Sequence, residues 1–454
     1  MNSLRKFLTG LVVMLLSLPA FGNNEGISQA MDTALSPYFK ANTPGATVLV
    51  TKDGKTLFRK AYGMANLEQE VAMKPEMIFR LGSITKQFTA VAIMMLSEQK
   101  KLDVKDEITK FFPDYPTHGK KITIEHLLTH TSGIMSYTSM PKFQEINDKD
   151  LTPQEFMDVF KNEPMQFEPG ERFGYCNSGY FILGAMIEKL SNQTYAEFLA
   201  QNIFEPLKMK HTAYEGFERD GLKRIEGYST GANGFEVAKS LSMTIPYAAG
   251  ALVSTVDDLA KWDWAITEGK LLKPETWSQI FTPFKLNNGE FSKYGYGWSL
   301  RDVHGFASIQ HGGGINGFRT IAIRIPKEKL YVAILLNSQQ PDFDPEYLAE
   351  KFVAIALGKS IVEPKEIALA SEQLKAYVGK YSLEKEGSVQ IVLEGNQLFV
   401  TDVGFKRALH ASSESEFFFK DSFIKSSFIK DELGTVTTLK VSDQENVYTW
   451  GRER

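Results

Sequence analysis

Ser83-Ile84-Thr85-Lys86 places a hydroxyl and an amine three positions apart. On a helix, positions i and i+3 share one face, so the two groups meet without tertiary help. Close to a helix N-terminus, backbone N–H groups and the helix dipole favour the negative charge that a serine alkoxide develops. A lysine whose amine is desolvated can take the serine proton. The spacing alone is common, because Ser3, Ser97, Ser139, Ser382, Ser422 and Ser427 also have a lysine three residues later. Ser83 stands apart by context. Gly82 precedes it, Met77-Ile78-Phe79 leads in, and the stretch that follows is apolar almost to Lys100.

Two further motifs occur once each. In Tyr175-Cys176-Asn177 the phenol can move a proton, with Lys86 as a neighbouring positive charge, and the Asn177 amide can donate to a substrate carbonyl while accepting from the lysine. The plain alternative is a tyrosine packed on the core with an asparagine capping the next helix. In His311-Gly312-Gly313-Gly314 the glycines let a ligand approach the backbone, and an N–H there could join that of Ser83 as a two-donor oxyanion hole. Its plain alternative is a glycine-rich turn.

Three other patterns carry less. Gly227-Tyr228-Ser229-Thr230-Gly231 fits a nucleophile elbow, but polar residues precede it and Ala232-Asn233-Gly234 cannot start a stable helix. His126 and His130 have the spacing of zinc ligands, yet no glutamate lies between them and no third ligand follows nearby, so both read as structural and no metal or other cofactor is expected. Cys176 is the single cysteine, so an internal disulfide is excluded.

The elements that must position these groups follow from patterning. Asp53-Gly54 between two apolar runs signals a hairpin from Ala46 to Tyr62. Helices are expected over Ser83–Lys100, Thr123–His130, Pro153–Lys161, Ser178–Leu190, Tyr195–Ile203 and Thr255–Glu268, the last with Thr255 and Asp258 resembling a capping box. Strands return at Ile309, Phe318–Ile325 and Leu330–Leu336, and a helix over Pro345–Leu357 closes the domain. Strands at both ends with helices between imply an α+β fold with an antiparallel sheet. After position 373, short strand patterns at Val389–Leu393, Gln397–Thr401, Glu416–Phe419, Ser427–Lys430 and Thr435–Val441 point to a small all-β barrel or sandwich. The boundaries are 1–22 for a leader, 23–360 for the main domain, 361–372 for a linker and 373–454 for the C-terminal β domain.

The leader has Arg5 and Lys6, an apolar run from Phe7 to Leu18, and Ala20-Phe21-Gly22 at its end, the pattern of a secretory signal. The run falls short of the ~20 residues of a membrane span. Export to the periplasm or medium without a stable membrane anchor is therefore expected. The 454 residues carry a net charge of −4 and no basic run, which leaves nucleic acid binding without an electrostatic footprint.

The ordered set Ser83-x-x-Lys86, Tyr175-x-Asn177 and His311-x-Gly313 resembles the serine β-lactamase and DD-peptidase superfamily, the penicillin-binding-protein-like group, and within it class C enzymes and their esterase and peptidase relatives. Pro44-Gly45, His126 to Gly133, Asn177-Ser178-Gly179-Tyr180, Pro206-Leu207 and Tyr296-Gly297-Trp298 also look like family landmarks. The resemblance implies a β-lactamase-like antiparallel sheet flanked by helices, an all-helical lobe, and a site between them. It implies that Ser83 forms an acyl-enzyme, Lys86 activates it, and Tyr175 passes protons to the leaving group. Asn177, His311, Gly313 and Gly314 would bind substrate, with Arg319 as a substitute carboxylate anchor. Class C enzymes carry Lys-Thr-Gly where this chain has His311-Gly312-Gly313. A mostly neutral histidine there leans away from a carboxylate-bearing β-lactam and toward short D-residue peptides, amides or esters. The alternatives are a β-lactamase and an acylatable sensor or non-catalytic binding protein. The tail resembles the small β-barrel of some group members, acting either as a cap over the site or as an independent module.

Overall fold

The computed structural model describes residues 24–216, 224–231, 234–339, 344–383, 387–402, 405–443 and 447–453. The expected leader at 1–22 lies outside them. The main sheet is built of β1 (Ala46–Lys52), β2 (Lys55–Tyr62), β3 (Ser299–Val303), β4 (Phe306–Ile315), β5 (Phe318–Ile325) and β6 (Leu330–Leu336), ordered β3-β4-β5-β6-β1-β2 and antiparallel throughout. The β1–β2 hairpin turns through Asp53 and Gly54 at φ 51° and 71°, the two positive values that its two-residue connection demands.

Helices cover both faces. On one side, α1 (Asn24–Leu35) and α7 (Pro345–Ala356) bury Met31, Leu348, Phe352 and Val353 against Val48, Ile321, Ile323 and Ile334. On the other side lies the helical lobe, with α2 (Thr85–Glu98), α3 (Ile124–Leu128), α4 (Pro153–Phe160), α5 (Asn177–Ser191) and α6 (Val256–Thr267). The 12 residues from Thr85 to Leu96 are all buried, so α2 is a core helix walled in on every side, as its mainly apolar composition implies. At α6 the Thr255 hydroxyl accepts the Asp258 N–H, but the Asp258 carboxylate turns to the His211 N–H at 2.7 Å and the Lys261 amine at 2.6 Å, so the capping box is only half formed. Among the described residues no helix is long and apolar enough to cross a membrane.

The C-terminal domain is a closed eight-stranded barrel, β7 (Gly379–Leu383), β8 (Gly387–Glu394), β9 (Gln397–Asp402), β10 (Phe405–Ala411), β11 (Glu416–Phe418), β12 (Lys425–Lys430), β13 (Val436–Ser442) and β14 (Val447–Arg452), with β14 pairing back to β7. Closure removes the strand edges, and Tyr381, Ile391, Leu398, Phe417, Phe428 and Leu439 fill the interior. Phe423 of the barrel docks on Tyr347 and His304 of the main domain, ring centroids 4.6 and 4.9 Å apart.

Asn337, fully buried just after β6, ties the sheet to the segments beside it. Its Oδ1 accepts the Gly45 N–H at 2.7 Å, and its Nδ2 donates to the carbonyls of Met64 and Glu226 at 3.1 and 3.0 Å. Truncation to alanine strands buried backbone groups from three separate segments. We expect Asn337→Ala to lose at least about 2 kcal/mol, read as a lower urea midpoint with unchanged slope.

Candidate active site

Ser83 sits on the single 3-10 turn Gly82–Ile84 that opens α2. Its approach is pinned on both sides: the Leu81 N–H donates to Leu252 O at 2.8 Å, and the Thr320 hydroxyl of β5 donates to Leu81 O at 2.8 Å. Gly82 adopts φ 53°, and a Cβ there would stand 3.0 Å from the Gly314 nitrogen. A Cβ on Gly313 would come within 2.1 Å of Leu81 O. The glycines of β4 therefore let the strand lie directly against the turn that carries Ser83, with the Gly314 amide beside it.

Beyond Gln310 the β4 edge has no strand beside it among the described residues, because β3 pairs with β4 only from Phe306 to Gln310. An open edge with backbone donors and acceptors next to a serine suits an extended peptide-like ligand.

Lys86 is the second residue of α2, one turn on from Ser83, and is fully buried. Its Nζ is 3.0 Å from Ser83 Oγ, 2.8 Å from Asn177 Oδ1 and 2.8 Å from Ala249 O. The last two are carbonyls, which only accept, so they hold two amine hydrogens and leave the third tetrahedral position facing Ser83. In the neutral amine that position is a lone pair aimed at the serine hydroxyl. Desolvation holds the Lys86 pKa well below the ordinary lysine value, with the Cys176 thiol opposing it less. Geometry and electrostatics both favour an amine able to accept the Ser83 proton.

Asn177 opens α5. Its backbone N–H donates to Ser136 Oγ at 3.1 Å and its Nδ2 to Thr138 Oγ1 at 3.2 Å, which fixes the side-chain oxygen on Lys86 and leaves a second amide hydrogen for a ligand.

Tyr175 precedes it at the mouth, 40% exposed as a residue. Its ring lies 4.8 Å from Lys86 Nζ and 6.2 Å from the His311 ring. Crowding raises the phenol pKa above its ordinary value, while hydrogen bonding with Ser83 pulls it down by less, so the phenol keeps its proton at neutral pH.

His311 is 6% exposed on β4. Its Nδ1 lies 2.6 Å from Gly312 O, which can only accept, so Nδ1 carries the proton and Nε2 accepts the Tyr294 hydroxyl at 2.8 Å. Burial first, then repulsion from Lys86 wherever that amine is protonated, lowers its pKa to about 3. The residue at the lysine position of class C enzymes is thus a neutral imidazole.

Arg319 is a correction to the sequence reading. It pairs with Gly314 across β4 and β5, but strand alternation puts it on the face opposite Thr320, whose hydroxyl donates to Leu81 O on the approach to Ser83. There it pairs with Asp344 at 3.5 Å and does not line the site.

The other patterns resolve simply. Tyr228–Gly231 is a strand paired with Gly234–Val237, so Ser229 is on no elbow. His126 closes a reciprocal cap with Thr123. Sequence reasoning missed the Ala249 carbonyl, Ser136, Thr138, Tyr294 and Thr320. A backbone carbonyl carries no sequence signal, and the others are ordinary polar residues until the fold aims them.

The barrel borders this region. A cavity of about 370 Å³ runs between the domains, lined by Phe173 and Tyr294 from the main domain and by Ser422, Phe423 and Tyr448 from the barrel.

A half-buried serine beside a fully buried lysine, beneath an open strand edge on an antiparallel sheet with a helical lobe, defines a serine hydrolase of the β-lactamase and penicillin-binding-protein fold. Comparison with known proteins agrees: the Beta-lactamase family profile matches residues 26–355, and the chain belongs to that family. Residues 363–451 match a domain of unknown function, DUF3471. Penicillin-binding protein 4* of Bacillus subtilis is 29% identical over 409 residues, covering 85% of this chain and 90% of that protein. Among solved structures, the octameric penicillin-binding protein homologue from Pyrococcus abyssi is 27% identical with a TM-score of 0.65, covering 94% of this chain and 99% of that one. The D-amino acid amidase from Ochrobactrum anthropi SV3 is 27% identical with a TM-score of 0.62, covering 74% and 97%.

The low His311 pKa has a testable consequence. Between about 6.5, where an unfolded histidine titrates, and about 3, the unfolded chain binds a proton at this position that the folded chain does not. Stability should therefore fall as pH drops through this window, and His311→Asn should flatten the slope of unfolding free energy against pH. An unchanged slope would mean that the imidazole is protonated in the folded protein.

Proposed function

We propose that this chain is an exported serine hydrolase that works through an acyl-enzyme at Ser83 on amide, peptide or ester bonds, with short D-residue-containing peptides or related amides and esters as its substrate class. The observation that carries the reading is the fully buried Lys86 amine, 3.0 Å from Ser83 Oγ and held by two carbonyl oxygens.

In this reading the Ser83 oxygen attacks the substrate carbonyl and its proton passes to neutral Lys86. The N–H groups of Ser83 and Gly314 stabilise the oxyanion, each worth roughly a hundredfold or more in rate. As the tetrahedral intermediate collapses, the Tyr175 phenol gives its proton to the departing nitrogen or oxygen and is reprotonated by the Lys86 ammonium. A water then attacks the acyl-enzyme, the same groups return the proton to Ser83 Oγ, and the acid leaves. The Asn177 amide hydrogen orients the substrate carbonyl.

Two things support amides and esters over β-lactams. The neutral His311 supplies no cation for a substrate carboxylate, and Arg319 turns to the opposite face, paired with Asp344. The likeness to a D-amino acid amidase points the same way. Export rests on the leader pattern of residues 1–22.

The test offers the purified protein a p-nitrophenyl ester, a D-alanyl anilide, a D-Ala-D-Ala peptide and a chromogenic cephalosporin. We expect ester or anilide turnover that falls by several powers of ten in Ser83→Ala. Equal turnover by both proteins would refute the nucleophile. Rapid cephalosporin hydrolysis would make it a β-lactamase, and stoichiometric labelling without turnover would make it a sensor. Lys86→Arg should be as inactive as Lys86→Met, since a guanidinium stays protonated and cannot accept the serine proton.

A further inference from the structure

His130 is paired by spacing with His126, yet it is engaged with a different part of the chain. It holds a left-handed backbone, φ 57°, a conformation that favours glycine or asparagine. It is fully buried among the rings of Tyr175, Tyr294 and Tyr180, with centroids 4.3, 4.8 and 5.0 Å away. Its Nδ1 accepts the Cys176 N–H at 3.0 Å, so the ring proton of the neutral imidazole sits on Nε2. Its carbonyl oxygen accepts the Gly174 N–H at 2.8 Å.

One residue therefore grips the backbone immediately before and immediately after Tyr175 and packs against its ring. The neighbouring links are backbone to backbone: Gly170 N–H to Thr131 O and Gln166 N–H to Gly133 O, both 2.8 Å. The grip on the Cys176 N–H, by contrast, depends on the side chain at position 130. Packing alone does not account for a histidine here. Among the described residues its Nε2 has no hydrogen-bond partner, and a buried unpaired donor costs stability that an apolar ring of similar size avoids.

We propose that His130 is a positioning residue that holds the Tyr175 phenol over Ser83 and Lys86 for proton delivery to the leaving group. This rests on the proton-relay role given to Tyr175 above. The imidazole touches no substrate and acts through the strap that carries the tyrosine. Because a phenol that protonates the leaving group matters most when that group leaves poorly, loss of His130 should be felt on an anilide far more than on a p-nitrophenyl ester.

The experiment compares wild type, His130→Leu, His130→Asn, Tyr175→Phe and the double variant His130→Leu/Tyr175→Phe on both substrates, with thermal melts alongside. Asparagine places an acceptor oxygen where Nδ1 sits and tolerates the left-handed backbone. We expect His130→Leu to lose roughly a hundredfold in kcat on the anilide with little change in KM, as for a misplaced catalytic group, and much less on the ester. His130→Asn should restore most of the rate, and the double variant should be no worse than Tyr175→Phe. If His130→Leu fails to fold, His130→Gly removes the side chain without straining the backbone and answers the same question. Equal losses on both substrates, or a double variant whose loss is the product of the single losses, would overturn the proposal. If Tyr175→Phe turns over the anilide like wild type, the relay role itself fails and the proposal with it. A leaving-group-dependent loss in Tyr175→Phe without one in the His130 variants would reject His130 alone.

Discussion

The structure depends on keeping one amine out of water. Lys86 is buried in a helix that is itself buried, and its two fixed acceptors come from elements far apart in the chain, the first residue of α5 and the short helix Tyr247–Gly250. A charged lysine in such a place is costly, and the cost is relieved by giving up the proton. The neutral amine is then held in the geometry a base needs, with its remaining valence toward Ser83. Both properties come from the same burial, so packing and chemistry cannot be tuned separately here.

The opposite wall answers a second constraint, close approach. Gly82 and Gly313 leave room for β4 to lie against the turn that carries Ser83, and because β3 begins only at Ser299, opposite Gln310, that part of the β4 edge has no strand partner among the described residues. His311 is locked between Gly312 O and the Tyr294 hydroxyl, so it contributes shape and polarity without charge. The barrel, anchored through Phe423, borders the cavity behind Phe173 and Tyr294, and the described groups around Ser83 all come from the main domain.

Much of this was legible in the sequence because the signals are local. Strands at Phe318–Ile325 and Leu330–Leu336 were readable to the residue, since apolar runs flank a proline-led turn. The strands Gly379–Leu383, Phe405–Ala411 and Val447–Arg452 were not expected, because barrel strands bury one face only and these carry polar residues on the other. Arg319 was misplaced for a matter of parity: it is next to Thr320, which bonds Leu81 on the approach to Ser83, and one position along a strand reverses the face. His130 was readable as structural, but the residue it secures, Tyr175, is its neighbour only in the folded chain.

The central claim is that the Lys86 amine is uncharged beside Ser83, and its most direct test is a pH titration of the lysine Cε and Nζ resonances in protein labelled at lysine. The account predicts one resonance, absent from Lys86→Arg, that titrates well below all the others. A Lys86 signal that moves together with the surface lysines would contradict it.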